Sequence, residues 1–352
     1  MSTRTSDKPP ERGSAEEYQL AAAAEQQVGI TIAELSSLLA LEAVKGFGPQ
    51  KFKELHEAGI TPAAALSQPE HTPFAGARGE TLKAGIAAVT DDDRALAQRR
   101  AIRQIARAAD ISARVLTYVA LDYPRRVYAS NNPIPVLYLR GAAGPLNAAH
   151  AVACVGSRKI RPPYSDLHHG FATTAAKQGF VIVSGFAIGA DRIGHEAAVE
   201  ASAETVLVMP SGLDRPFPPE NRDLWAQLIA YEGAAIVSEF PLGTSASTLT
   251  LRKRNKLIVA FAQGVLISQS DVKGGAMNAY RFAVEQRKSI ATFQPDGAED
   301  TSGNAEIAST GDSRDVKQLV LTQQPKIQSR VSVLPRNAGL HESSEWLNTL
   351  SS

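Results

Sequence analysis

Glycines, hydroxyls and cations recur at four turns of this sequence, and their spacing suits the holding of phosphate rather than the making or breaking of bonds. Val155-Gly156-Ser157-Arg158 ends an apolar run and precedes Pro162, Pro163 and a helical stretch. Glycine lets the backbone approach an anion, Ser157 can donate a hydrogen bond, and the Arg158 fork matches phosphate oxygens. Ser184-Gly185-Phe186-Ala187-Ile188-Gly189-Ala190-Asp191 repeats the theme, with Asp191 where a helix cap is expected. Pro216, Pro218 and Pro219 stiffen a loop that presents Arg215 beside Phe217, a cation next to a ring on which a base can stack; Phe217 equally suits a plug beneath the loop. The densest signal is Arg252-Lys253-Arg254-Asn255-Lys256, followed by Lys273 and Gly275 in the last glycine turn. Between residues 250 and 288, eight Lys and Arg oppose Asp271 and Glu285, a local balance of +6 in a chain whose total is +1. Such contacts give salt-dependent, sequence-independent affinity for a polyanion.

Two residues of reactive type lack reactive surroundings. His195 has no Ser or Cys nucleophile and no metal ligands at suitable spacing, so a packing role is expected. The single cysteine, Cys154, lies in an apolar run and reads as a buried, inert hydrophobe of a reducing compartment. There is no Gly-Lys-Ser/Thr phosphate loop, no Gly-x-Gly-x-x-Gly opening a first helix and no His/Cys cluster. A protein without cofactor and without catalytic chemistry is expected.

The turns need a scaffold. Apolar runs at Ala151–Val155, Phe180–Val183, Thr205–Met209, Ala234–Val237, Gly264–Ile267 and Ser289–Phe293 alternate with helical stretches. That alternation requires right-handed crossovers and predicts an α/β, Rossmann-like parallel sheet with helices on both faces. In such a sheet ligands sit outside the carboxyl ends of the strands, where all four turns fall.

Upstream, Ile32, Leu35, Leu38, Leu39, Leu41 and Val44 recur at helical spacing and open a small all-α domain over 30–111. Its Gly46-Phe47-Gly48-Pro49 turn is similar to the hairpin of a SAM or helix-hairpin-helix module, whose amides can hold a phosphate; a plain helix turn that needs glycine accounts for it as well. Arg94, Arg99, Arg100, Arg103 and Arg107 fall on a helix expected over 93–109, a row of the kind that is usually solvated surface. Residues 1–29 are expected to form a flexible tail. The sheet domain with its connector is assigned to 112–296. Residues 297–352 read as a weakly patterned extension with one short apolar run, Leu319-Val320-Leu321, and room for an edge strand or a helix.

Composition sets the outer limits. The 352 residues, 43% hydrophobic, suffice for one large core and a second small one. The 37 Lys and Arg nearly cancel the 36 Asp and Glu, so affinity for nucleic acid must come from a local patch. A polar N-terminus of mixed charge and the lack of a long apolar stretch lead to the expectation of a soluble cytoplasmic protein without membrane association.

The motifs Val155-Gly156-Ser157-Arg158, Ser184 to Asp191, His195, Gly212-Leu213-Asp214 with Pro218-Pro219-Glu220-Asn221, Ser238-Glu239-Phe240-Pro241, Arg254-Asn255-Lys256-Leu257-Ile258 and Lys273-Gly274-Gly275-Ala276 follow one another in a single order. In that order they resemble the DNA-processing protein A (DprA/Smf) family. The Tyr123-Pro124 and Pro135-Val136-Leu137-Tyr138 connector agrees, and the resemblance covers roughly Leu35 to Pro295. It implies a single-stranded-DNA-binding protein of DNA uptake and recombination that hands the strand to a RecA-type recombinase and forms a homodimer through this domain. By motif, Arg158, Arg254, Lys256 and Lys273 are expected to neutralise phosphates, and Gly185, Gly189 and Gly275 to allow close backbone approach. Gln269 stands where the family usually has an acidic residue, Gly274 replaces a serine and Ala279 a threonine, the pattern of a divergent branch.

Two other readings stand beside this one. Similar folds include nucleotide-binding sensors and phosphoribohydrolase-like enzymes, but their Pro-Gly-Gly-x-Gly-Thr-x-x-Glu turn is missing where Pro210-Ser211-Gly212-Leu213-Asp214 runs. A DprA-like regulatory or antitoxin partner of a toxin, in a phage-defence or mobile-element module, fits the divergence at Gln269 to Ala279.

Overall fold

The computed structural model describes residues 15–131, 133–312, 330–336 and 340–351, and it divides into two compact units, one ending at Tyr118 and the other beginning at Val119. The first unit holds helices Ala15–Val28, Ile32–Glu42, Pro49–Glu57, Pro62–Ser67, Gly76–Ala87 and Asp91–Asp110, then strand β1, Ala113–Leu116. Thr31 with Glu34 and Thr90 with Asp93 form reciprocal capping boxes that fix two of the helix starts. The long helix Asp91–Asp110 packs on the first two, around the fully buried Leu35, Leu41 and Ile105. Helix Ala15–Val28 lies within the stretch expected to be a flexible tail. Ala21, Ala24 and Val28 make a buried stripe at helical spacing, enough to dock it. The unit also runs past the expected limit at 111, because β1 packs on its first and last long helices.

The second unit is built on strands β2 (Leu137–Gly141), β3 (Ala151–Val155), β4 (Val181–Ser184), β5 (Thr205–Val208), β6 (Ala234–Ser238), β7 (Gly264–Ile267), β8 (Ser289–Phe293) and β9 (Val331–Leu334). Their order across the sheet is β2-β6-β5-β4-β3-β7-β8-β9. β2 runs antiparallel to β6 and the other pairs are parallel. Strands β3 to β7 are buried along their whole length, as a sheet with helices on both faces requires. This is the Rossmann-like arrangement. The chain moves outward from β3 through β4, β5 and β6, then returns to β7 on the other side of β3. The crevice at the carboxyl ends of β3 and β7 is therefore the topological switch point.

The C-terminal extension, expected to be weakly patterned, completes this unit where it is described. β9 pairs with β8 from Ile290↔Val331 to Phe293↔Leu334, and helix Leu340–Ser351 packs on helix Tyr164–Lys177, with the Trp346 ring 5.8 Å from that of Phe171 and Leu347 and Leu350 in the same buried cluster. The run Leu319-Val320-Leu321 lies outside the described residues. Among the described residues no helix is long and apolar enough to cross a membrane.

Candidate anion-binding cleft

The switch point opens into a cleft of about 560 Å³. Its walls are the turn after β3 (Gly156, Ser157, Arg158, Lys159), the helices Thr248–Lys253 and Asn255–Phe261, and the turn after β7 that carries Lys273 and Gly275. Ser157 Oγ accepts the Lys159 amide at 3.0 Å, which folds the first turn back on itself and points two successive cations outward. Arg158, Lys159, Arg252 and Lys273 are exposed, and among the described residues none of their side chains is held by a carboxylate. With Arg254 they set five cations against Asp191 and Asp271 in the lining, a net of +3. Lys159 was not expected at the site; its place beside Arg158 in the same turn was the available signal.

Arg254 differs from the expectation. It is 4% exposed and faces the protein. Its Nη1 donates to the carbonyls of Gly185 and Val208, the latter at 2.8 Å, and Nε donates to Asn255 Oδ1 at 3.0 Å. Nη2 lies 3.5 Å from Asp191 Oδ2. Asn255 Nδ2 in turn donates to the Gly275 carbonyl at 3.2 Å. The Arg254-Asn255 pair thus ties the ends of β4 and β5 and the turn after β7 to the helix after β6. Burial raises the Asp191 pKa, and the Arg254 charge opposes that shift; burial lowers the Arg254 pKa, and Asp191 opposes it. Each ion makes the other tolerable, so Arg254 is an internal strut whose charge is offset by Asp191.

Lys256 is also misplaced by the sequence reading. It lies outside the cleft lining, with Nζ 3.3 Å from Glu239 Oε2, and Lys253 approaches the same oxygen at 3.7 Å. The Glu239 side chain is only 6% exposed. One helix ends at Lys253 and the next begins at Asn255, so the four clustered cations leave in different directions. Of the eight cations counted between 250 and 288, only Arg252, Arg254 and Lys273 line the cleft.

The glycines divide in the same way. A Cβ at Gly185 would overlap the Arg254 guanidinium, and one at Gly156 would overlap Ser268 Oγ and come within 2.8 Å of Ala190 Cβ. Gly189 has φ +77°, and its Cβ would stand 2.5 Å from the Ser157 carbonyl. These three are glycine because the floor of the cleft is packed against itself. Gly275 has open space around it and is the position at which a ligand can come close to the backbone.

The other expected site residues fall away from the cleft. Ser184 is fully buried and donates to the Cys154 carbonyl at 2.6 Å. Arg215 and Phe217, on the loop between β5 and β6, are exposed and line no part of the cleft, so Phe217 is neither a plug nor a cleft ring. His195 is fully buried, with Nδ1 2.8 Å from Thr205 Oγ1, and burial pulls its pKa down to about 3. It is a neutral packing residue. Cys154 is buried, and burial raises its thiol pKa, so it is held as an unreactive thiol. Gln269, at the family's acidic position, is buried and accepts the Arg161 amide at 3.0 Å. Arg161 itself is bound by Asp296 at 2.8 Å and Asp300 at 2.7 Å, so carboxylates are already supplied to this corner from the segment after β8.

The chain matches known proteins. The family model described as DNA recombination-mediator protein A matches residues 114–319. Protein Smf of Synechocystis sp. is 33% identical over 175 residues, which are 48% of this chain and 43% of that protein. Protein Smf of Escherichia coli K12 is 31% identical over 170 residues, 48% and 44% of the two chains. The matches therefore span less than half the length of these relatives. Among solved structures, DNA processing protein A of Helicobacter pylori, described for its single-stranded DNA binding mode, aligns with a TM-score of 0.53 at 25% identity over 68% of this chain and 95% of that one. DprA of Streptococcus pneumoniae aligns with a TM-score of 0.60 at 17% identity over 84% and 94%, a likeness of fold. With more than half of its length matched by the family model, on a Rossmann-like sheet that keeps the motif order, this chain belongs to the DNA recombination-mediator protein A family.

Proposed function

We propose that the chain binds single-stranded DNA by its phosphates at the switch-point cleft and serves DNA processing and recombination, with no chemistry of its own on the strand. The observation that carries this reading is the set of four exposed cations, Arg158, Lys159, Arg252 and Lys273, without carboxylate partners among the described residues, around one recess whose rim is open at Gly275. Phosphates neutralised there release counterions, which gives affinity without sequence preference. A pliable single strand can follow a concave rim, whereas a duplex with a persistence length of about 50 nm resists that curvature. The single-stranded DNA binding mode described for the Helicobacter pylori relative supports the choice of strand. Burial of His195 and Cys154 supports a binding role over a catalytic one. Within this reading the bound strand passes to a RecA-type recombinase from a homodimer, as the family resemblance implies; recombinase filament assembly on DNA coated by this protein, and its mass in solution, test those two steps.

A salt-titrated binding assay with a single-stranded oligonucleotide, a duplex and mononucleotides tests the main reading. The single strand is expected to bind most tightly and to weaken steeply as salt rises. Equal affinity for duplex and single strand would contradict it. Tight, salt-insensitive binding of a mononucleotide would replace it with a nucleotide sensor.

A further inference from the structure

The cleft leaves several clustered cations of the second unit unused. A second set gathers at the opposite edge of the same sheet, where the strands begin. Register puts the strand starts in one row: Val152 is level with Gly264, Gly264 with Ser289, and Ile290 with Val331. Lys288 stands one step before β8, and Arg330 one step before β9, its carbonyl accepting the Ile290 amide at 2.8 Å. At the β3 end of the row, Arg126 donates from Nη1 to the Ala148 carbonyl at 2.8 Å and from Nη2 to the Ala149 carbonyl at 2.6 Å, just ahead of the strand. Three separate stretches of chain thus deliver Arg126, Arg287, Lys288 and Arg330 to one edge.

Two features show that this gathering is unfavourable for the protein alone. Arg126 and Lys288 are half-buried, and among the described residues neither is paired with a carboxylate. Burial lowers the Lys288 ammonium pKa to about 8, and the like charge of Arg126 pushes it the same way. Arg287 adopts φ +58°, just past helix Ala276–Glu285, a left-handed position that favours glycine. The helix dipole welcomes one cation at that end but gives no reason to hold Lys288 against Arg126. An anion at this edge would relieve the repulsion.

The chemistry of the patch selects the anion. Among the described residues, Arg126, Arg287, Lys288 and Arg330 and their neighbours in sequence include no exposed large hydrophobic residue, so the described patch has no apolar centre of the kind a protein partner requires. Guanidinium forks and an ammonium in a row fit successive phosphates. We propose that this amino-edge patch is a second phosphate-binding surface, holding a further segment of the strand that occupies the cleft. The inference rests on the single-stranded-DNA reading of the cleft. Strands of four or five residues at about 3.3 Å per residue keep the two surfaces roughly 15 Å apart, so a strand that only fills the cleft does not reach the patch and a longer one does.

The test compares oligonucleotides of roughly six and roughly thirty nucleotides on the full chain. The variant is Arg287→Gly with Lys288→Gln and Arg330→Ser, which leaves the carbonyl bonds of Arg126 intact and relieves the backbone at 287. Fluorescence anisotropy across salt concentrations is expected to show unchanged binding of the short strand. For the long strand, affinity should fall about tenfold or more, with a salt slope smaller by about 2 for three lost contacts. Arg330→Ser alone, at an exposed residue, is expected to lower the long-strand slope by about 0.7 and serves if the triple variant is unstable. Equal effects on both lengths, or none on the long strand, would overturn the proposal. So would binding of polyglutamate that is lost in the variant while the long strand is unaffected, since the patch would then serve an acidic protein. If the unaltered protein fails to bind even the short strand, the reading of the cleft falls first.

Discussion

Replacing Arg254 by alanine is expected to damage the fold rather than to delete one phosphate contact. The guanidinium serves the Gly185 and Val208 carbonyls, Asn255 and Asp191 at once. Its removal leaves Asp191, 5% exposed, as a buried carboxylate without its cation. Breaking a buried ion pair from one side costs about 3–5 kcal/mol, a large part of the roughly 5–15 kcal/mol that holds a domain together. In a unit of this size each kcal/mol moves Tm by about 2–4 °C, so the loss should be roughly 6–20 °C. Arg254→Lys should recover only part of it, because one ammonium cannot replace a planar fork with four acceptors around it. Thermal melts and salt-titrated binding of single-stranded DNA on the same preparations give both readouts. At temperatures where the variant is folded, its salt slope should equal that of the unaltered protein. A Tm within about 2 °C of the original together with a slope reduced by about 0.7 would refute the reasoning and make Arg254 a phosphate ligand.

Lys256→Met should likewise act on stability, since it withdraws the nearer cation from Glu239, whose side chain is 6% exposed; a loss of about 1–3 kcal/mol with little change in DNA affinity is expected from denaturant melts. Gly275→Ala, at a position with open space, should leave Tm unchanged and weaken DNA binding, whereas Gly156→Ala, which would overlap Ser268 Oγ, should cost about 1–3 kcal/mol of stability. Burial holds His168 at about 4 and His195 at about 3, below the ordinary 6.5. Unfolding therefore takes up protons on the acid side, and stability that is full above about pH 6.5 should fall as pH drops toward 4, at up to about 2.7 kcal/mol per pH unit for two histidines. Urea melts between pH 7 and 4.5 measure this, and a flat profile in that window would contradict the buried, neutral histidines.

The sheet was legible because its strands are short apolar runs separated by helical stretches, a pattern that survives without knowledge of contacts. Runs at 151–155, 264–267 and 289–293 coincide with β3, β7 and β8. Helix Ala15–Val28 and β9 were not legible: the first has only alanines and a valine for its buried stripe, and the second is four residues that become a strand by pairing with β8. The location of the site followed from topology, since turns after strands meet at a switch point. The division of labour within it did not. A count of charges along the chain cannot see that Asp191 and Glu239, far away in sequence, hold Arg254 and Lys256 from within. Glycine turns were read as approaches for a ligand, yet at 156, 185 and 189 the neighbour is the protein itself. Arg158, Lys159, Arg252 and Lys273, unpaired among the described residues, differ from the bound cations in what stands opposite them, which sequence does not display.

The salt dependence of single-stranded DNA binding by the combined variant Arg158→Gln, Lys159→Gln, Arg252→Gln and Lys273→Gln is the most direct measurement. At about 0.7 per phosphate contact, the slope of log affinity against log salt should shrink by close to 3, with Tm within a few degrees of the original because all four are exposed and, among the described residues, none is paired with a carboxylate. A variant that keeps the original slope and affinity would place the DNA elsewhere on the molecule.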